Sequence, residues 1–199
     1  MSRFPDVESS VEVLNRILYG EVRTRMLLAA IELEVFTVLQ RPTSADSLAA
    51  RLGTHPRNTG LFLDALVSND LLHKRDGRYW NAPVADEFLV GDRDTYLGDV
   101  LANFAGYLRS GLEQMVPLVR EGPPPQAEEN EHDASDAGRE TAIYANLQRA
   151  GRAQRAAGIV SQLREFVGLR RMLDLGGGAG LLGMAIVDAH PSMEGVIFD

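Results

Sequence analysis

Four glycines within five positions, led by an acid, constrain this chain more than any other stretch. Arg171-Met172-Leu173-Asp174-Leu175 is a short apolar run carrying one carboxylate, and Gly176-Gly177-Gly178-Ala179-Gly180 follows it. Leu181-Leu182-Gly183-Met184-Ala185-Ile186-Val187 then has the apolar pattern of a helix. The order reads as strand, tight turn, helix. Glycine has no Cβ, so such a turn can press its backbone against a ligand. The free N–H groups of the next helix can face ligand oxygens. From Met193 a second strand signal runs through Gly195-Val196-Ile197-Phe198 to Asp199. That acid falls about 20 residues past the glycines, where nucleotide-binding α/β units hold the carboxylate that accepts ribose hydroxyls.

Two frames fit the glycines. Gly178-Ala179-Gly180-Leu181-Leu182-Gly183 matches the G-x-G-x-x-G of dinucleotide binders, a weak signal alone. The other frame is Asp174-x-Gly176-x-Gly178-x-Gly180, which resembles motif I of class I S-adenosylmethionine-dependent methyltransferases. A pyrophosphate gains nothing from a carboxylate just before the glycines, because like charges repel. A cofactor with an ammonium group and no phosphate tolerates it, so the second frame is preferred. A glycine turn with no ligand would carry the same entropy cost without return.

The balance of 45% hydrophobic and 24% charged residues over 199 positions suits one globular domain or two small ones. A net charge of -8 argues against nucleic-acid binding, which needs clustered cations. The absence of cysteine excludes disulfides and thiolate metal sites. His132 has no second histidine at ligand spacing, so no metal is expected. No signal-peptide pattern opens the chain, and no apolar run reaches the ~20 residues of a membrane helix. A cytoplasmic protein is expected.

Ser9 and Ser10 can cap a helix bearing Val11, Leu14, Ile17 and Leu18, with Gly20 as an interruption. Val22 to Leu39 is apolar on several faces, which calls for burial in a core, against a second subunit, or both. Thr43-Ser44-Ala45-Asp46 reads as a helix cap, Gly53 as the stop, and Pro56 as the first turn of another helix. Asp76-Gly77 between two strand-like runs predicts a hairpin. Helix, helix, hairpin is a winged helix-turn-helix. Its second helix, His55 to Asn69, has Arg57 as its only certain cation, so scaffold and dimerisation are preferred over DNA reading.

A short helix is expected at Pro83 to Leu89 and a long one over Thr95 to Arg120, with a stripe through Val100, Phe104, Leu108, Leu112, Met115 and Val119. Gly122 to Gly138 reads as an acidic linker, or a flap over a site. Arg139 to Arg149 and Arg152 to Val167 resume helix.

This order resembles the small-molecule O-methyltransferases with a dimerising N-terminal domain, the caffeic acid, hydroxyindole and polyketide O-methyltransferase group. Leu48-Ala49-Ala50-Arg51-Leu52-Gly53 through Leu71-Leu72 and Tyr79 carries the likeness at one end, and the glycine motif carries it at the other. The resemblance implies a mostly α domain with a winged helix over residues 1–90. A helical linker region at 91–168 contains the acidic loop 122–138, and residues 169–199 begin a Rossmann-like α/β domain. It implies a homodimer through the N-terminal helices, a small-molecule acceptor and S-adenosyl-L-methionine as cofactor. Asp174, Gly176, Gly177 and Gly178 would border the methionyl end, and Asp199 would accept the ribose hydroxyls. Phe104, Tyr107, Met115 and Tyr144 would border the acceptor. The family's remaining strands, adenine pocket and histidine base would follow Asp199, so no catalytic residue is assigned in this chain. The expectation is the N-terminal part of a longer enzyme, inactive by itself. A partner chain completing an assembly protein, paired half-sheets and a DNA-binding regulator are the alternatives.

Overall fold

The computed structural model describes residues 8–123, 141, 144–166 and 168–199. The chain is mostly helical with two small sheets among the described residues, and it divides into two units, Met1–Asp86 and Glu87–Asp199.

The first unit opens with α1 (Glu12–Glu32), whose entry is marked by the Ser10 hydroxyl accepting from the Glu12 N–H at 3.1 Å. Gly20 does not interrupt it. One glycine costs a helix about 1 kcal/mol, which a helix of this length absorbs. The break comes instead at Glu34, whose left-handed φ of 54° turns the chain into α2 (Val35–Val38). The expected single helix through Leu39 is therefore two pieces. Val35, Phe36 and Leu39 are buried, whereas Leu14, Ile17, Leu18 and Val22 on α1 are exposed, Ile17 by 71%.

Helix α3 (Ala45–Leu52) is capped by Ser44, whose hydroxyl accepts from the Ser47 N–H, and it stops at Gly53 in the left-handed region. Helix α4 (Pro56–Val67) has its proline in the first turn, where the missing N–H leaves no vacant bond. The pair packs together, burying Leu48, Ala49, Leu63 and Leu66. Strands β2 (Leu72–Arg75) and β3 (Arg78–Asn81) form the expected hairpin. Asp76 and Gly77 at its tip both have positive φ, the geometry that matches strand twist in a two-residue turn. The short β1 (Thr43–Ser44) pairs with the other edge of β3, giving the order β1-β3-β2. Asn81 donates to the Phe36 carbonyl at 2.8 Å, which ties β3 to α2 from inside the core. Helix α5 (Pro83–Phe88) follows.

In the second unit the expected long helix is α6 (Gly98–Glu113) and α7 (Met115–Glu121), parted at Gln114. Pro117 explains the break. It has no N–H for the Glu113 carbonyl, and its ring would strike that carbonyl in a continuous helix. Val100 is buried, but Phe104, Leu108, Leu112, Met115 and Val119 of the same stripe are exposed. The expected acidic linker, the flap reading, His132 and the start of the next helix at Arg139 lie outside the described residues. Residues 144–147 are helical, and the turn Gln148–Arg152 kinks at Gly151, φ 90°. Helix α8 (Ala153–Val160) and a 3₁₀ turn (Arg164–Phe166) replace the single helix expected to Val167. Strand β4 (Arg171–Leu175), helix α9 (Leu181–Ala189) and strand β5 (Glu194–Phe198) complete the unit, with β4 and β5 parallel.

Candidate functional site

The β4–α9–β5 segment holds the glycines between two fixed supports. Ala157 of α8, Ile186 of α9 and Met193 form a small core, with Met172 of β4 and Phe166 packed on it. His190 closes the far end of α9 against this core. Its Nε2 lies 2.7 Å from the Ser161 hydroxyl, and its ring centroid is 4.8 Å from that of Phe166. These contacts cover one side of the sheet. On the other side Leu173, Leu175, Val196 and Phe198 stand 58–70% exposed.

At the open end of the strands, Asp174 lies opposite Ile197 and Leu175 opposite Phe198. The Gly176 N–H donates to the Phe198 carbonyl at 2.8 Å, carrying the ladder one residue past β4. The chain then turns back at Gly178, φ 55°, and Gly180, φ 73°, conformations that a side chain opposes. Gly180 also caps α9, and its N–H donates to the Gly177 carbonyl at 2.9 Å. The Gly178 N–H points across to β5 and donates to Asp199 Oδ1 at 3.1 Å.

Asp174 sits beneath this turn. Its Oδ2 is buried and has no hydrogen-bond partner. A methyl group added to Gly177 would stand 2.9 Å from that oxygen, and one added to Gly183 would stand 2.8 Å from it. Two carboxylates therefore border one bare-backbone turn, one below it and one beside it. Gly183 and Ile197, which complete the cradle, carried no assignment from the sequence. Gly183 was visible only as the last member of the dinucleotide pattern, and nothing in the spacing marks Ile197.

The four residues expected to border an acceptor all lie at the surface. Phe104, Tyr107, Met115 and Tyr144 are 50–76% exposed. The groove of about 520 Å³ beside α9 is lined by Gln148, Arg149, Met172, Met184 and Val187 among others, and by none of those four. Gln148 Oε1 is buried there without a partner. No sequence signal distinguished that glutamine. Among the described residues no cluster of histidine and acidic side chains could hold a metal ion. No helix among them is long and apolar enough to cross a membrane.

Known proteins share both segments. Residues 15–91 match the O-methyltransferase dimerisation domain and residues 131–199 match the O-methyltransferase domain. The chain is 30% identical over 193 residues to 3-hydroxy-5-methyl-1-naphthoate 3-O-methyltransferase of Streptomyces sahachiroi, covering 94% of this chain and 54% of that protein. It is 28% identical over 187 residues to the N,N-dimethyltransferase OxyT of Streptomyces rimosus, covering 89% and 53%. The chain thus spans about half the length of the curated relatives it matches. The crystal structure of human N-acetylserotonin methyltransferase in complex with S-adenosylmethionine shares the fold, with a TM-score of 0.76 and 23% identity over 100% of this chain and 61% of that one. With the dimerisation segment, the methyltransferase segment and the fold in agreement, the chain belongs to the O-methyltransferase family.

Proposed function

We propose that these residues are the N-terminal part of an S-adenosylmethionine-dependent methyltransferase that acts on a hydroxyl of a small aromatic or polyketide-like molecule. The observation that carries the reading is the turn Gly176–Gly180 with a carboxylate on either side. Its chemistry fits the cofactor. Bare backbone admits close approach, Asp199 can accept hydrogen bonds from ribose hydroxyls, and the negative charge of the acid beneath favours a cofactor that carries an ammonium group without requiring direct contact. A diphosphate would meet two negative charges at the same place.

In this reading the backbone of Gly176, Gly177 and Gly178 borders the methionyl end of the cofactor. Asp199, steadied by the Gly178 N–H at 3.1 Å, keeps its second oxygen for a ribose hydroxyl. Bound S-adenosylmethionine supplies an electrophilic methyl group. The chain's own contribution is orientation, which by itself can account for a large part of the rate of a two-reactant step. No residue here is assigned to remove the acceptor's proton. That group must reach the hydroxyl it deprotonates, and we place it in a part of the enzyme beyond these residues.

The helix–helix–hairpin of the first unit is read as a winged helix serving dimerisation. The exposed Leu14, Ile17, Leu18 and Val22 of α1 support this by leaving an apolar face for a second subunit. The β4–α9–β5 unit is read as the opening of a Rossmann-like domain, whose bare face of Leu173, Leu175, Val196 and Phe198 calls for cover. The aromatic relative from Streptomyces favours an oxygen acceptor. The N,N-dimethyltransferase relative makes nitrogen the competing choice. Incubation with methyl-labelled S-adenosylmethionine and a panel of hydroxylated and aminated aromatics tests the proposal. The full-length protein should label a hydroxyl, and residues 1–199 alone should label nothing. Turnover by the 199 residues alone contradicts it.

A further inference from the structure

Asp174 alternates along β4 with the exposed Leu173 and Leu175, so it shares the inner side of the strand with Met172. One of its oxygens, Oδ2, is closed off from solvent and has no hydrogen-bond partner. The methyl groups that Gly177 and Gly183 lack would stand within 2.9 Å and 2.8 Å of it. The carboxylate is therefore lodged in a slot. The glycine turn is its roof, and the first turn of α9 is its wall. Met184 is the first residue of α9 whose N–H reaches a carbonyl one turn back, that of Gly180 at 2.9 Å. The N–H groups of Leu181, Leu182 and Gly183 give that end of the helix its positive character. A negative group lodged there attracts the helix start and the turn attached to it. A ligand lying over the turn has no access to that oxygen.

We propose that Asp174 is a positioning residue. Its buried oxygen braces the glycine turn against α9 and so holds the Gly178 N–H toward Asp199, in place of gripping the cofactor itself. The carboxylate takes the volume that bare Gly183 leaves, and shares with the Ile197 side chain the volume that bare Gly177 leaves. The proposal rests on the reading of this turn as the cofactor loop, but its first test does not.

The test uses Asp174→Asn, which keeps the shape and removes the charge. In the cofactor-free protein, amide exchange at residues 176–180 should accelerate several-fold while the melting temperature holds. Two probes then separate bracing from gripping. S-adenosylhomocysteine carries the amino-acid end of the cofactor, and methylthioadenosine lacks it. A brace predicts that both bind roughly fivefold to tenfold more weakly to the variant. Methylthioadenosine affinity that is unchanged overturns the proposal, whatever the other probe does, and so does unchanged loop exchange. If neither probe binds the wild-type protein, the cofactor reading fails while loop exchange still judges the brace. Gly183→Ala is the second variant. It displaces the carboxylate without removing it and should show the same faster exchange at 176–180. Unchanged exchange in that variant overturns the proposal even if Asp174→Asn does not fold.

Discussion

Asp199 Oδ1 accepts a 3.1 Å hydrogen bond from the Gly178 N–H. The bond ties the end of β5 to the turn that follows β4, so the two carriers of the proposed cofactor contacts are fixed relative to each other. A hydrogen bond to a charged group contributes about 1.5–3 kcal/mol. The bond that Asp199 is proposed to accept from a ribose hydroxyl is of the same kind, so Asp199→Ala in the full-length protein should weaken S-adenosylhomocysteine by about tenfold to a hundredfold and, by releasing the Gly178 N–H, lower the melting temperature as well. Equal affinity of variant and wild type in calorimetric titration would remove Asp199 from the site.

Gly20 sits in the exposed part of α1, and a Cβ there would meet nothing within 4 Å. Gly20→Ala should stabilise the protein by about 0.5–1 kcal/mol, since the helix no longer orders a glycine. Chemical denaturation checks this. A destabilised variant would mean that a partner helix lies too close for a methyl group.

Ile17 is 71% exposed on the same helix, within the segment matched to the dimerisation domain. A charge placed in an apolar subunit contact is strongly unfavourable. Ile17→Glu should convert a dimer into monomers in light scattering, leaving the circular dichroism unchanged. A variant that remains dimeric moves the interface elsewhere.

Lys74 and Tyr79 both reach Asp64, the ammonium at 2.5 Å and the phenol at 2.8 Å. The hydrogen bond from Lys74, then that from Tyr79, holds the Asp64 carboxyl below its ordinary 3.8. The Asp64 contribution is thus present above that value and lost as pH falls through the lowered one. The same bond raises Lys74 above 10.5, so its contribution is present below that value and lost as pH rises through the raised one. Burial comes first in raising Tyr79, which favours its neutral form and acts on the alkaline side as well. The pair is largely exposed, so the effect is small. Asp64→Asn should flatten stability against pH below about 4. An acid limb identical in variant and wild type contradicts this.

Legibility followed local chemistry. Asp76-Gly77 gave the hairpin because only a turn with two positive φ values fits there, and Ser44 with Gly53 marked both ends of α3. The glycine turn was legible for the same reason. Readings that depended on competition between neighbours were less secure. Gly20 was overruled by the helix around it. Pro117, which breaks α6 from α7, was passed over because the apolar stripe continues across it. Glu34 adopts a left-handed conformation that its residue type does not announce. The slot around Asp174 could not be read from spacing, because it arises from the approach of α9 to β4 in three dimensions. The apolar stripe of α6 predicts burial, yet only Val100 has it. Periodicity reveals a face without revealing what covers it.

The central claim is that the turn between Asp174 and Gly180, with Asp199 beside it, holds a sulfonium nucleoside. Isothermal titration of the full-length protein with S-adenosylmethionine and, separately, with a nicotinamide dinucleotide tests it directly. The account predicts saturable binding of the first at one site per chain and no heat from the second. Binding of the dinucleotide with no uptake of S-adenosylmethionine would contradict it.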